Sequence, residues 1–399
     1  MGVFSFKTHY FKNKNKEYNT ARKFFKALKP RQYYCSNRLK DLILDLSTNL
    51  SYRITEKITN KIRLKCDKKG IKSRSVCNLV DREGTEIHNN INAQVEDIFD
   101  KYDFTDEGMP VDKSDYQDKE SLTIDELEIN RVIKENELYI DAKYKNPKLY
   151  EKEAYNISVD DVYVKKQKEK RKNDEESEEK KQIRGSVAHV EKDSNKMILN
   201  SINIKQVLLF VLGLVLNSGF TANETLVFFV DGEKKIHKLI NTMFSWTNYK
   251  IILDWAHIIK KCKENLSMAI KNKKTKIEVM EKILYYTWYG KTDSVIEYLQ
   301  SIPKENIKST YWLGNLIGYF ERNRDNIPCY CIRKYLNLRN SSNRGEKAND
   351  LVISKRQKHN GMSWSVEGSN SQASVCSVYK NNQSENWIKN HEIKFDLSA

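Results

Sequence analysis

Apolar residues along this chain follow two rhythms, short β-branched runs and stretches at helical spacing. The clearest alternation of the two lies between Thr225 and Lys261. Leu226 to Val230 is an apolar run stopped by Asp231-Gly232, as a buried strand would be. Ile236, Leu239, Ile240, Met243 and Phe244 then fall at helical spacing, and Ile251 to Leu253 reads as a second buried strand. Each strand ends in an aspartate, Asp231 and Asp254, with His257 one turn after the second. In an open α/β sheet, groups at the carboxyl ends of strands face the crevice where ligands bind.

The same reading extends to both sides. Residues 20–66 are helical by pattern, with Leu39, Leu42, Ile43 and Leu46 on one apolar face and Ile54, Ile58 and Ile62 on another. Ser51 and Ser73 stand where helix caps belong, and Gly70 marks a turn. This layout, with basic residues on its last piece, is that of a helix-turn-helix, in which Arg53, Lys68, Lys69, Lys72 and Arg74 would meet DNA. It equally fits a basic helical hairpin with no DNA role. Glu86 to Tyr102 reads as one helix and Asp103 to Lys119 as loop. Ile157-Ser158-Val159-Asp160 alternates as a strand, Lys165 to Lys181 is a charged turn, and Ser186 to Val190 is the returning strand of a hairpin. Ile204 to Leu216 predicts a buried helix too short to span a bilayer. Residues 258–335 predict several helices whose aromatics belong to a core. Glu346 to Lys355 predicts a helix capped from Ser341-Ser342-Asn343, and the chain past Ser371 reads as a polar tail, partly disordered.

Charge changes the picture. The 399 residues carry a net +16, unevenly spread. Residues 1–80 hold 20 lysines and arginines against 5 acids, residues 81–160 hold 10 against 22, and the remainder 40 against 27. A basic head, an acidic middle and a basic body imply a polyanionic partner, although a lysine-rich proteome would leave the same mark. The acidic middle is placed to fold back over the basic head. Seven scattered cysteines without framework spacing read as reduced thiols in a cytoplasm, with no zinc site. The N-terminus has no apolar signal region, and Phe6 excludes myristoylation at Gly2. No membrane partner is expected.

Asp160 on a first strand, Asp231 on a later one and Glu346 on a late helix form a D…D…E set. Hard oxygen ligands of this kind suit two Mg²⁺ or Mn²⁺ ions in phosphoryl transfer, although any acid-rich chain offers such triples. Arg339, Arg344, Lys347, Lys355, Arg356 and Lys358 rim the glutamate, which suits a carboxylate beside a bound phosphate backbone.

The strings VDDVYVKKQ, FFVDGEKKI, LDWAHIIKK and LRNSSNRGEKANDLVISKRQKHNGMSWS resemble a bacterial insertion-sequence transposase family of the DDE type, long labelled only as an uncharacterised protein family. The resemblance covers roughly residues 35–380. It implies an α/β RNase H-like mixed-sheet catalytic domain with an all-α insertion, preceded by a helix-turn-helix region. Asp160, three residues before Tyr163, takes the first-aspartate place, with Asp161 a rival; Asp231 takes the second and Glu346 that of the glutamate. Asp254 and His257 look like the C/D-x-x-H signature of such domains, with a structural or DNA-handling role. The implied boundaries are 1–85 for DNA binding, 86–150 for an acidic linker, 151–257 and 336–370 for the core, 258–335 for the insertion and 371–399 for the tail. The expected activity is metal-dependent cleavage and strand transfer of double-stranded DNA, at element ends and target, by a nucleoid-associated homo-oligomer. A short leader and an early stop after GMSWSVEGS fit a shortened copy, and the competing expectations are a non-catalytic DNA-binding relative or a repair nuclease.

Overall fold

Alternating and apolar runs build one five-stranded mixed sheet. The computed structural model describes residues 10–13, 16–19, 35–62, 70–116, 119–167 and 182–397, so Lys68, Lys69 and most of the Lys165–Lys181 run lie outside the described residues. A hairpin of β1 (Tyr10–Asn13) and β2 (Lys16–Asn19) stands apart from the main sheet. That sheet comprises β3 (Ala154–Lys165), β4 (Gln182–Lys192), β5 (Asn195–Ser201), β6 (Thr225–Val230) and β7 (Tyr249–Leu253), in the order β5-β4-β3-β6-β7. β3, β4 and β5 form an antiparallel meander, and β6 and β7 add in parallel on the far side of β3.

Parallel neighbours need crossovers, and the expected helices supply them. Helix α5 (Ile204–Asn217) carries the chain from β5 to β6, and α6 (Lys234–Met243) carries it to β7. Strand alternation divides the sheet's two faces. Tyr155, Ile157, Val159, Leu226, Phe228 and Val230 join α5, α6 and the N-terminal helices in one apolar core. On the opposite face Val227, Phe229 and Ile252 pack under α7 (Trp255–Ala269), α8 (Lys273–Trp288), α9 (Thr292–Gln300) and α10 (Thr310–Arg322), the predicted all-α segment. α11 (Tyr330–Tyr335) closes that segment, and α12 (Asn343–Asn349) follows, running into a π turn at Asp350–Ser354. Val162, Val164, Ala348, Val352, Ile353 and Trp364 seal this end of the face. Among the described residues, no helix is long and apolar enough to cross a membrane.

Several expectations need correction at the two ends of the chain. The N-terminal helices are α1 (Asn37–Asn49), α2 (Tyr52–Ile62) and α3 (Ser73–Lys101), and α3 runs unbroken across the expected boundary at residue 85. Ser51 does cap α2, accepting from the Ile54 N–H at 3.3 Å, whereas Ser73 is not a cap: its N–H donates to Glu56. In α2 the inward residues are Thr55 and Thr59, while Ile54 and Ile62 stay nearly half exposed. Among the described residues, the acidic middle meets the basic head through Glu83 of α3, which pairs with Lys40. Its α4 (Glu126–Glu135) and Tyr150 pack on Cys329, Cys331 and Ile332, with Glu151 buried against Arg333.

The segment expected as a tail is folded. α13 (Val366–Lys380) buries most of its length, and α14 (Ser384–Asn390) buries Trp387. The inward face of α13 is Gly, Ser and Ala, which brings it close to α3. A Cβ on Gly84 would lie 2.2 Å from the Ser371 carbonyl oxygen, so only glycine fits. α13 also covers the edge of the sheet: the Asn381 side chain accepts from the Ile198 N–H and donates to its carbonyl, both at 2.9 Å. That pairing blunts β5 as an edge strand.

Candidate active site at the fork of β3 and β6

The β3–β6 ladder ends at Ser158 opposite Phe229; β6 stops at Val230, while β3 continues beside β4 to Lys165. Two residues beyond the last pair, Asp160 and Asp231 stand side by side where no ladder joins their strands. Asp160 shares a face with Ser158 and Val162, and Asp231 continues the face of Val227 and Phe229. Both therefore open toward the side covered by α12 and the all-α segment. Burial pushes the Asp160 carboxyl up from its ordinary value and Asp231 adds to the rise, against hydrogen bonds from Asn349 and the Asp161 N–H. It is a half-buried acid beside a second acid, and the charge of His257 opposes the rise only in part.

Glu346 reaches the same place from α12. That helix lies on β3 because Gly345 lacks a side chain; a Cβ there would sit 2.7 Å from that of Ser158. One turn on, the Asn349 side chain donates to Asp160 Oδ2 at 2.8 Å. His257 lies between the helices, with Nδ1 3.5 Å from Glu346 Oε1 and 3.6 Å from Asp254 Oδ1. The Asp254 carboxylate raises the pKa of His257 against the opposing effect of burial, and Asp231 and Glu346 add to the rise.

Asp254 itself is fully buried and engaged on both oxygens. It caps α7 through the His257 N–H at 2.9 Å, and it accepts from the Ser342 backbone and hydroxyl. Burial would raise its carboxyl, but these donors hold it down at about 2. The expected Ser342 cap thus serves another purpose: its hydroxyl ties the start of α12 to the end of β7.

The rival first-strand acid has a different fate. Asp161 points to the other face, where Arg184 Nε donates to its Oδ2 at 2.7 Å and Arg184 Nη2 donates to Glu233 Oε1 at 2.8 Å. Asp160 is therefore the member of the pair that lies with Asp231 and Glu346.

The expected DNA-contacting residues divide similarly. Arg53, Lys72 and Arg74 are exposed on the N-terminal helices, and Lys355 and Lys358 are exposed beyond α12. Arg339 and Arg344 both pair with Glu191 of β4, anchoring the approach to α12. Arg356 does not belong to the rim. It is 3% exposed, its guanidinium 4.9 Å from the Tyr52 ring and 5.0 Å from that of Trp364, and it donates to the Ser47 carbonyl.

Asp160, Asp231 and Glu346 offer only hard oxygens, and an acid held beside a second acid fits a cation-binding role. Distance alone selects another group: among the described residues, Glu83, Glu86 and His391 are the set whose ligand atoms all lie within 4.8 Å. That set is already satisfied, because Glu83 is buried against Lys40 at 3.0 Å and Arg82 at 2.8 Å. Two ions about 3.5–4 Å apart would be served by ligands spread wider than one ion needs. Arg184, Glu233, Asn349 and Glu191 escaped the sequence reading, and Ser342 entered it only as a helix cap. The one usable signal was Arg184, a charge two residues before the predicted returning strand. No family model matches the chain, and no curated protein matches it either.

Proposed function

We propose that the chain is a DDE-type transposase, an RNase H-like polynucleotidyl transferase that cuts DNA at the ends of an insertion element and joins them to a target. The observation that carries this reading is the convergence of Asp160, Asp231 and Glu346, from three distant segments, on one face of the β3–β6 fork. An antiparallel meander extended by parallel strands, with helices on both faces, supports the RNase H-like assignment.

Asp160, Asp231 and Glu346 would hold two Mg²⁺ or Mn²⁺ ions. When bound, these supply a nucleophilic oxygen at neutral pH and charge to balance the leaving one. The protein's own part is positioning: Asn349 orients Asp160, and Asp254 with Ser342 fixes the helix that presents Glu346. Glu346 is nearly half exposed, so the site is open to a long polymer. Exposed Arg53, Lys72, Arg74, Lys355 and Lys358 would meet its phosphates. Action as a homo-oligomer on two element ends follows from the reaction.

The test is nicking of supercoiled plasmid carrying the gene's native flanking DNA, with Mn²⁺ present. Wild type cuts; the double variant Asp160→Ala, Glu346→Ala binds the same DNA and cuts nothing. Retained metal-dependent cleavage by that variant rejects the site. A second reading, a DNA-binding relative without catalysis, is favoured by the three carboxylates not closing to 4.8 Å as a group. Salt-sensitive binding by wild type without any nicking would establish it.

A further inference from the structure

Asp160 and Asp231 carry like charge at the one point where their strands are no longer hydrogen-bonded to each other. Some other contact must hold their spacing, and the described residues contain one. Arg184, on β4 opposite Tyr163, is one-fifth exposed and forks across the gap. Its Nε and Nη2 both donate to Asp161, the residue after Asp160, and Nη2 also donates to Glu233, two residues after Asp231. Glu233 is coupled back to Asp231, whose Oδ1 accepts the Glu233 N–H at 2.9 Å. Asp161 is coupled back likewise, its N–H donating to Asp160 Oδ1 at 2.8 Å. The chain of contacts Asp160–Asp161–Arg184–Glu233–Asp231 therefore spans the fork on the face opposite the candidate site. The Tyr163 ring, 6.0 Å from the guanidinium, flanks it.

We propose that Arg184 is a positioning residue that sets the separation of Asp160 and Asp231, so that the two share divalent cations; this rests on the reading of the site given above. A planar guanidinium suits the task because its fork serves two carboxylates at once, which an ammonium does less well.

The sign of the effect separates this role from simple charge. As a mere positive charge near a dication site, Arg184 would oppose metal, and its removal would tighten binding. As a cross-link, its removal lets the aspartates spread and weakens binding. The experiment measures Mn²⁺ binding by the full chain without DNA, by electron paramagnetic resonance of the free ion, beside nicking as a function of Mn²⁺ concentration. Wild type, Arg184→Lys, Arg184→Met and the triple Arg184→Met, Asp161→Asn, Glu233→Gln, which leaves all three positions uncharged, are compared, each checked for native circular dichroism. The triple guards against a variant that fails only because two acids are left unpaired.

The expected result is weaker Mn²⁺ binding, by about 10-fold or more, in Arg184→Met and in the triple, as is usual when partners of metal ligands are removed. Arg184→Lys falls between, and nicking is largely recovered at saturating Mn²⁺. Unchanged or tighter Mn²⁺ binding by folded Arg184→Met or by the triple overturns the proposal. Asp160→Asn and Asp231→Asn are the separate control: if wild type binds no Mn²⁺, or these two bind as wild type does, the carboxylate site itself fails, whatever Arg184 does.

Discussion

Two acidic clusters of this molecule invite comparison, the one at the β3–β6 fork and the one where α3 meets α14. Glu83 of α3 is buried, accepts from Lys40, Arg82 and the Trp387 indole, and is held below the ordinary range by those partners against the effect of burial. Asp160 is half-buried with an amide, a backbone N–H and another acid for neighbours, and it is pushed up. Glu83 belongs to the group that meets the distance test for a metal; Asp160 does not. Proximity of ligand atoms is therefore a poor guide here. What separates the clusters is compensation: Glu83 has Lys40 and Arg82 within 3.0 Å, whereas at Asp160 burial and Asp231 outweigh the charge of His257.

The comparison breaks most sharply on activity. Asp160→Asn or Glu346→Gln should cut nicking by about 10³-fold or more, since a metal site supplies several kcal/mol of charge stabilisation at tenfold per 1.4 kcal/mol. Melting of Asp160→Asn should be unchanged or improved, because removing one of two facing acids relieves repulsion. Glu83→Gln should do the reverse. Leaving Lys40 buried without its partner costs about 3–5 kcal/mol in urea unfolding, with Mn²⁺ binding per folded molecule unaltered.

A third prediction concerns pH. Asp254, like Glu83, is a compensated acid, held at about 2 against an ordinary 3.8. A lowered carboxyl stabilises fully above its ordinary value and loses that contribution as pH falls toward the folded one. Urea midpoints of wild type should therefore drop between pH 3.8 and about 2, and Asp254→Asn, weaker at neutral pH, should show a shallower drop. Asp160 carries the opposite sign: a raised carboxyl favours folding at low pH and loses that contribution as pH rises through its folded value. The smallest effect belongs to Arg82→Ala. Its side chain is 52% exposed and Lys40 remains on Glu83, so the loss should stay under about 1 kcal/mol by the same unfolding measurement.

The strands were legible because β-branched runs ending in Asp231 and Asp254 admit few other readings, and α5 because it is apolar throughout. The N-terminal helices misled because hydrophobic periodicity presumes that isoleucine goes inward. In α2 the neighbours leave room only for Thr55 and Thr59, and Ile54 faces out. α13 went unread for a related reason: close approach to Gly84 selects serine and alanine, which look like a solvated tail. In the candidate site, the acids could be picked out but their separate fates could not. Asp160 and Asp161 differ only in which face each meets, and Arg356 differs from a surface arginine only in lying between Tyr52 and Trp364. Such distinctions come from contacts hundreds of positions apart.

The closure of α13 over α3 and the rim of β5 has a bearing on biosynthesis. The element that flanks the first long helix is made only after the whole sheet, so α3 and the strands leave the ribosome without a finished scaffold. A stop codon placed just after Glu346 would spare every acid of the fork and still yield a product without that supporting layer, destined for proteolysis.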